Sequence, residues 1–139
     1  MRFLIDTHTF LWFIHDSPQL SANAKNLLES DNDLWVSIVS LWEIAIKVNI
    51  GKLMLPNSYE NFIPEQLALN DIEILPIRIA HLSIYSTLPL HHRDPYDRLL
   101  IAQAMTEKVS IIGSDVTFDS YVLTFTPCLK AGDSKKSPS

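Results

Sequence analysis

The feature that most constrains the fold is a short apolar run that lacks the alternation of a half-exposed strand. This run, RFLI at residues 2–5, leads directly into Asp6, and further strand-like runs occur in LWVSIV, IEILPI and VSIIG. Continuous apolar runs are typical of strands buried on both faces, as in a parallel sheet covered by helices. Residues 2–5 are therefore predicted to form a central parallel strand.

Helical segments are predicted between these runs. Ser21 is expected to cap a helix of about ten residues. The segment SLWEIAIKVNIGKL places apolar side chains at helical spacing before Gly51, a residue type that often ends helices. Residues 59–69 and AHLSIYSTL are also predicted to be helical, and Asp94 followed by Pro95 begins the strongest helix pattern. This order predicts an α/β fold, a three-layer α/β/α sandwich with a central, mostly parallel sheet.

Composition favours one domain. A chain of 139 residues with 47% hydrophobic residues can bury a core without disulfides. We expect the domain to span residues 1–128, with YVLTFT as a last edge strand, and residues 129–139 to form a disordered tail rich in Ser and Lys. The only cysteine, Cys128, cannot form a disulfide within the chain, which favours a reducing compartment, the cytoplasm. No apolar run approaches the roughly 18–20 residues of a membrane span.

The net charge limits how the chain could bind nucleic acid. Its value of -5 argues against binding of nucleic acid through phosphate neutralisation alone. If the chain binds nucleic acid, a cation is expected to assist it.

Four carboxylates are predicted to meet at one edge of the sheet. Asp6 and Asp115 each end a predicted strand, Asp97 lies in the first turn of a helix, and Glu43 lies early in another. Ligands of open parallel sheets bind outside the carboxyl ends of the strands, where these side chains would converge. Their mutual repulsion would favour a bound divalent cation, and oxygen ligands suit Mg²⁺ or Mn²⁺. Such an ion can activate water for attack on a phosphodiester.

Each carboxylate also has a structural alternative. Asp94 before a proline is typical of an N-cap, and Asp97 could favour the positive end of the helix dipole. Glu43 and Lys47 could form an ordinary i,i+4 pair. The two aspartates at strand ends could serve a turn or a helix cap.

Other residue types near these positions carry weaker signals. Cations that could contact phosphates flank the site in sequence, although solvated surface charge is the simpler interpretation. These cations are Arg93, Arg98, Lys47 and Lys52. Three tryptophans could stack on bases, but core packing is favoured. They are Trp12, Trp35 and Trp42. Zinc is disfavoured because neither a His–Cys combination nor an H-E-x-x-H motif is present.

Three functions remain open from the residues. The first is metal-dependent hydrolysis of RNA by the four carboxylates. The second is phosphatase chemistry through an aspartyl intermediate at Asp6, which lacks the expected D-x-D arrangement because residue 8 is His8. The third is a non-catalytic binding module, against which clustered like charges argue.

Longer segments resemble a known family. LIDTHTFLW, SIVSLWEIAIKVNIGKLMLP, LPLHHRDPYDRLLIAQA and the following GSD are similar, in order and spacing, to segments of PIN-domain ribonucleases, specifically toxins of the VapC type. The likeness covers roughly residues 1–126. It implies a PIN fold, an endoribonuclease dependent on Mg²⁺ or Mn²⁺, an antitoxin partner that neutralises it, and a homodimer.

The resemblance also implies roles for individual residues. The acidic cluster of the family falls on Asp6, Glu43, Asp97 and Asp115. The resemblance leaves Asp94 outside this cluster, as the cap of the helix. Ser114 stands where many relatives have Thr, keeps the hydroxyl, and is a candidate for contact with RNA.

Overall fold

In the part of the chain that the structure describes, a sheet of five parallel strands organises the fold. The computed structural model describes residues 1–89, 94–113 and 129–130. The strands are β1 Arg2–Ile5, β2 Asp33–Ser37, β3 Ile72–Leu75, β4 Ser110–Gly113 and β5 Leu129–Lys130. Their order is β3-β2-β1-β4-β5, which places β1 in the middle, as its sequence predicts. Leu4 of β1 is in register with Trp35 on one side and Ile111 on the other.

Helices connect the first four strands. They are α1 Thr7–Ile14, α2 Ala22–Glu29, α3 Ile38–Asn49, α4 Tyr59–Leu69, α5 Ile79–Tyr85 and α6 Pro95–Glu107. Ser21 caps α2 by accepting a hydrogen bond from the amide of Ala24, as predicted. Gly51, just beyond α3, has a φ of 78°, a conformation that glycine adopts without strain. No helix in the described part of the chain is both long and apolar enough to cross a membrane.

The side chains of β1 divide the core into two layers. Phe3 and Ile5 belong to one apolar cluster with residues of α1, α2 and α4, whereas Leu4 belongs to a second cluster with residues of α6. Successive side chains of a strand point to opposite faces, so helices cover both faces of the sheet. The expected α/β/α sandwich is therefore confirmed.

A buried polar contact fixes α5 against α6. His81 is fully buried, and its Nδ1 accepts a hydrogen bond from the amide of Arg78 at 3.0 Å. Because Nδ1 accepts, the proton of the neutral ring lies on Nε2, which donates to Oε2 of Glu107 at 2.7 Å. The contact anchors the end of α6 and so helps to orient the whole helix.

Three features differ from the sequence predictions or lie beyond the described residues. Helix α1 was not predicted; Asp6 begins it immediately after β1. Strand β5 includes residues 129–130, which lie just beyond the expected domain end at residue 128. The expected edge strand at 121–126 and the remaining tail, 131–139, lie outside the described residues.

Candidate active site

Asp6 lies at the carboxyl ends of two central strands. It follows β1 directly, and its amide donates to the carbonyl of Ile112 in β4 at 3.0 Å. Its side chain also caps α1, because Oδ1 accepts from the amide of Thr9 at 2.8 Å. Only 3% of the residue is exposed. A carboxylate at this depth needs hydrogen-bond donors or a cation to offset its lost hydration, and the cap supplies one donor.

Glu43 on α3 lies against the beginning of α1. Its Oε1 is 2.9 Å from the hydroxyl of Thr7, the residue directly after Asp6. Its Oε2 is 3.7 Å from Nζ of Lys47, so the i,i+4 pair that the sequence left open is present. The Glu43 side chain is 15% exposed. The contact with Thr7 therefore brings Glu43 to the same edge of the sheet as Asp6.

The first turn of α6 carries Asp94 and Asp97. Asp94 is the N-cap, and its Oδ1 accepts from the amide of Tyr96 at 2.9 Å. Asp97 is the third residue of α6 and lies within its first turn. The ring of Tyr96 meets the ring of Trp42 edge to face, with centroids 5.3 Å apart. Since Trp42 precedes Glu43, this contact places the segments of Glu43 and Asp97 side by side.

Other predicted site residues lie outside the described part of the chain. They are Arg93, Ser114 and Asp115. Strand β4 ends at Gly113, two residues before Asp115, and its Ile112 already accepts the amide of Asp6. Within the described ranges, no group of three His, Cys, Asp or Glu side chains is placed to hold a metal ion. Asp6, Glu43 and Asp97 alone therefore do not form a closed ligand set.

Two of the described cationic candidates differ in their surroundings. The Lys47 side chain is 29% exposed and pairs with Glu43. Arg98 is buried; its guanidinium donates to the carbonyls of Pro89 and Leu88 at 3.1 and 3.4 Å and lies over the ring of Tyr85. Arg98 thus ties α6 to the main chain at Leu88 and Pro89, and its burial argues against direct contact with RNA.

An apolar groove adjoins the carboxylate segments. It has a volume of about 230 Å³ and lies between α3, α5 and α6. Its lining residues are Val39, Trp42, Leu82, Tyr85, Pro95, Tyr96 and Leu99. Trp42 is 58% exposed, so the expectation that it packs in the core was wrong, whereas Trp12 and Trp35 are half-buried against the core.

A larger cavity lies at the other edge of the sheet. It measures about 620 Å³ and is lined by the segments that precede β2 and β3, including Asp31 and Asp71. Those segments approach the amino ends of the strands. Ligands of open parallel sheets bind at the carboxyl ends, so we place the candidate site at the carboxylates despite the greater volume here.

One family model covers most of this chain. The sequence model of the PIN domain matches residues 3–122. The chain belongs to the PIN-domain family. The resemblance noted from the sequence is thereby confirmed at the level of the family. No curated protein matches this PIN domain.

Solved structures share the fold of this PIN domain at low sequence identity. VapBC2 from Rickettsia felis, solved with a fragment of promoter DNA, has a TM-score of 0.65 and 18% identity over 87% of this chain and 93% of that one. FitAcB from Neisseria gonorrhoeae has a TM-score of 0.59 and 20% identity, over 84% and 89%. A toxin-antitoxin complex from Klebsiella pneumoniae has a TM-score of 0.55 and 18% identity, over 81% and 85%.

Sequence reasoning missed two hydroxyl groups at the site of this PIN domain. Thr7 and Ser40 were not among the candidates, yet Thr7 contacts both Ser40 and Glu43. A signal was available in the sequence. Thr7 directly follows the predicted ligand Asp6, and Ser40 lies one helical turn before the predicted ligand Glu43. Only the packing of α1 on α3 shows that the two positions meet.

Proposed function

We propose that this PIN domain is an endoribonuclease dependent on Mg²⁺ or Mn²⁺ and the toxin of a toxin-antitoxin pair. The observation that carries the proposal is the buried Asp6 carboxylate at the carboxyl ends of β1 and β4, with Glu43 held beside the next residue. Membership of the PIN family supports nuclease chemistry. The neighbouring toxin-antitoxin structures support the biological role.

The donor atoms proposed for the site suit a hard cation. They are carboxylate oxygens, which Mg²⁺ and Mn²⁺ prefer, and the candidates are Asp6, Glu43, Asp97 and Asp115. When bound, the cation would polarise a phosphodiester and lower the pKa of a water molecule. The amide of Thr9 orients the Asp6 carboxylate, and Thr7 and Lys47 contact the two oxygens of Glu43. These contacts hold the carboxylates of Asp6 and Glu43 in place.

RNA is the proposed substrate. A chain with a net charge of -5 repels a polyanion overall, so cations at the site must offset the phosphate charge. Lys47 is a described candidate for phosphate contact, and Arg93 and Ser114 remain candidates from the sequence. The homodimer implied by the resemblance and a cytoplasmic location also remain predictions.

Removing divalent cations should abolish cleavage of a single-stranded RNA by the purified chain. The expected result is no product above background with excess EDTA and recovery on addition of Mn²⁺, because the carboxylates alone cannot stabilise the leaving oxygen. Gel analysis of a labelled RNA provides the measurement. Cleavage at the same rate in EDTA would rule out a metal-dependent nuclease, and no cleavage with any divalent cation would favour the non-catalytic alternative.

The antitoxin is expected to insert a cationic side chain among the acidic residues. An Arg guanidinium can form paired hydrogen bonds to carboxylates and would occupy the place of the cation. Inhibition should therefore weaken as Mn²⁺ concentration rises. The co-purified pair would be titrated with Mn²⁺ during cleavage, and again after the partner's basic residue is changed to Ala. Inhibition that responds to neither change would place the partner elsewhere on the surface.

A further inference from the structure

Two buried hydroxyl groups form a chain that ends on Glu43. The Oγ1 of Thr7 lies 2.8 Å from Oγ of Ser40 and 2.9 Å from Oε1 of Glu43. Thr7 is 3% exposed and Ser40 is fully buried. A carboxylate can only accept, so the proton of Thr7 points to Glu43, and Ser40 donates in turn to Thr7. The hydrogen bonds therefore run in one direction, from Ser40 through Thr7 to Glu43.

This chain of hydroxyls joins two segments that carry proposed ligands. Thr7 directly follows Asp6 and is the first residue of α1, whereas Ser40 and Glu43 lie one turn apart on α3. The partners of Thr7 are 33 and 36 positions away in the sequence. Threonine is branched at Cβ and adopts few rotamers, so it makes a stiff support. The contact sets the position of the Glu43 carboxylate relative to the beginning of α1.

The contact with Lys47 is a weaker constraint on Glu43. Its Nζ is 3.7 Å from Oε2, and ion pairs between neighbouring turns of a partly exposed helix contribute little. A free Glu side chain has several rotatable bonds and loses conformational freedom when it binds a ligand. A buried hydroxyl that already orients the carboxylate reduces that loss.

We infer that Thr7 and Ser40 are positioning residues that hold Glu43 ready to bind a divalent cation. The inference rests on the proposed function, since it takes Glu43 as a metal ligand. A merely structural contact would affect the folding of α1 on α3 but not the affinity for metal. The two roles therefore differ in a measurement that does not depend on activity.

The test compares Mn²⁺ binding by the intact protein and by variants, measured by calorimetric titration. Thr7→Val keeps the branched shape and removes the hydroxyl, and it should weaken Mn²⁺ binding about tenfold or more, as the loss of groups that orient metal ligands does. Thr7→Ser restores the hydroxyl and should stay within about threefold of the parent. Ser40→Ala should cause a loss smaller than that of Thr7→Val, because Thr7 can still donate to Glu43.

Thr9 provides a matched control. It lies on the same helix and is fully buried, and its Oγ1 has no hydrogen-bond partner in the described part of the chain. Thr9→Val makes the same chemical change as Thr7→Val, keeps the backbone amide that donates to Asp6, and removes a hydroxyl that makes no hydrogen bond to Glu43. Its Mn²⁺ affinity should equal that of the parent, which would assign the effect to the Thr7 hydroxyl rather than to any change in α1.

A double-mutant cycle connects the effect to Glu43. In a Glu43→Gln background, Thr7→Val should cause little further loss of Mn²⁺ affinity, because the carboxylate that it orients is already absent. Circular dichroism would check that each variant is folded. If Thr7→Val does not fold, the cycle is run with Ser40→Ala, which removes the donor to Thr7.

Two failures can be told apart. If Glu43→Gln weakens Mn²⁺ binding while Thr7→Val and Ser40→Ala do not, the positioning role is wrong and the proposed function stands. The positioning role would also be contradicted if Thr7→Val lowered the Mn²⁺ affinity equally in the parent and in the Glu43→Gln background. If Asp6→Asn and Glu43→Gln both bind Mn²⁺ and cleave RNA like the parent, the proposed metal site itself is wrong, and the inference falls with it.

Discussion

Replacing Asp6 with Asn should abolish metal-dependent RNA cleavage while the fold remains intact. The substitution removes the charge of a buried carboxylate at the carboxyl ends of β1 and β4. Changing a group that only orients a metal ligand costs roughly 10- to 100-fold, so the loss of a ligand should reduce cleavage by at least about 100-fold. The rate with saturating Mn²⁺ would be measured on a labelled RNA.

The stability of Asp6→Asn distinguishes loss of chemistry from loss of structure. Asn is as good an N-cap as Asp, so its side-chain oxygen can still accept from the amide of Thr9. Loss of the charge also removes repulsion between carboxylates. The free energy of unfolding without metal should stay within about 1 kcal/mol of the parent, whereas Asp6→Ala should lose roughly 0.5–2 kcal/mol more through the missing cap. Parent-like cleavage by Asp6→Asn would show that Asp6 is not an essential ligand.

Replacing Asp97 with Asn should also reduce cleavage by at least about 100-fold, whereas Asp94→Asn should retain most of it. Asp94 serves as the cap of α6 through the amide of Tyr96, and Asn can make the same contact. Asp97 follows in the first turn and is assigned as a ligand through the family resemblance. The two substitutions make the same chemical change three residues apart on one helix, so each is a control for the other.

Thermal or denaturant unfolding completes this comparison. Asp94→Ala should lose roughly 0.5–2 kcal/mol because the cap contact is gone. Asp97→Asn should lose less, since the interaction of a charge with the helix dipole contributes about 0.3–1 kcal/mol. A folded but inactive Asp94→Asn, together with an active Asp97→Asn, would reverse the two roles.

Much of the sheet could be predicted from local patterns. The continuous apolar run at residues 2–5 predicted a strand buried on both faces, and Phe3, Leu4 and Ile5 are buried in the middle of the sheet. The N-cap at Asp94 was also predictable, because the proline after it already has the backbone angle of a helix. These signals are local, since each depends on residues within one strand or one helical turn.

Helix α1 and the apolar groove were harder to predict. Only Asp6 separates the helix from β1, so a strand pattern and a helix pattern adjoin without a loop between them. Trp42 is apolar and belongs to a segment of helical spacing, which favoured a core position. Its exposure depends on how α3 packs beside α6, where it meets Tyr96 at the rim of the groove.

The sequence by itself determined that β1 is buried in the middle of the sheet. It also determined the caps of α2 and α6 and the positions of four acidic residues relative to the predicted strands and helices. Only the tertiary structure decided that Thr7 supports Glu43 and that Arg98 is directed to main-chain carbonyls. The physical reason is distance along the chain. Thr7 and Glu43 are 36 positions apart, and they meet because the parallel pairing of β1 with β2 brings the helices that follow these strands to the same edge of the sheet.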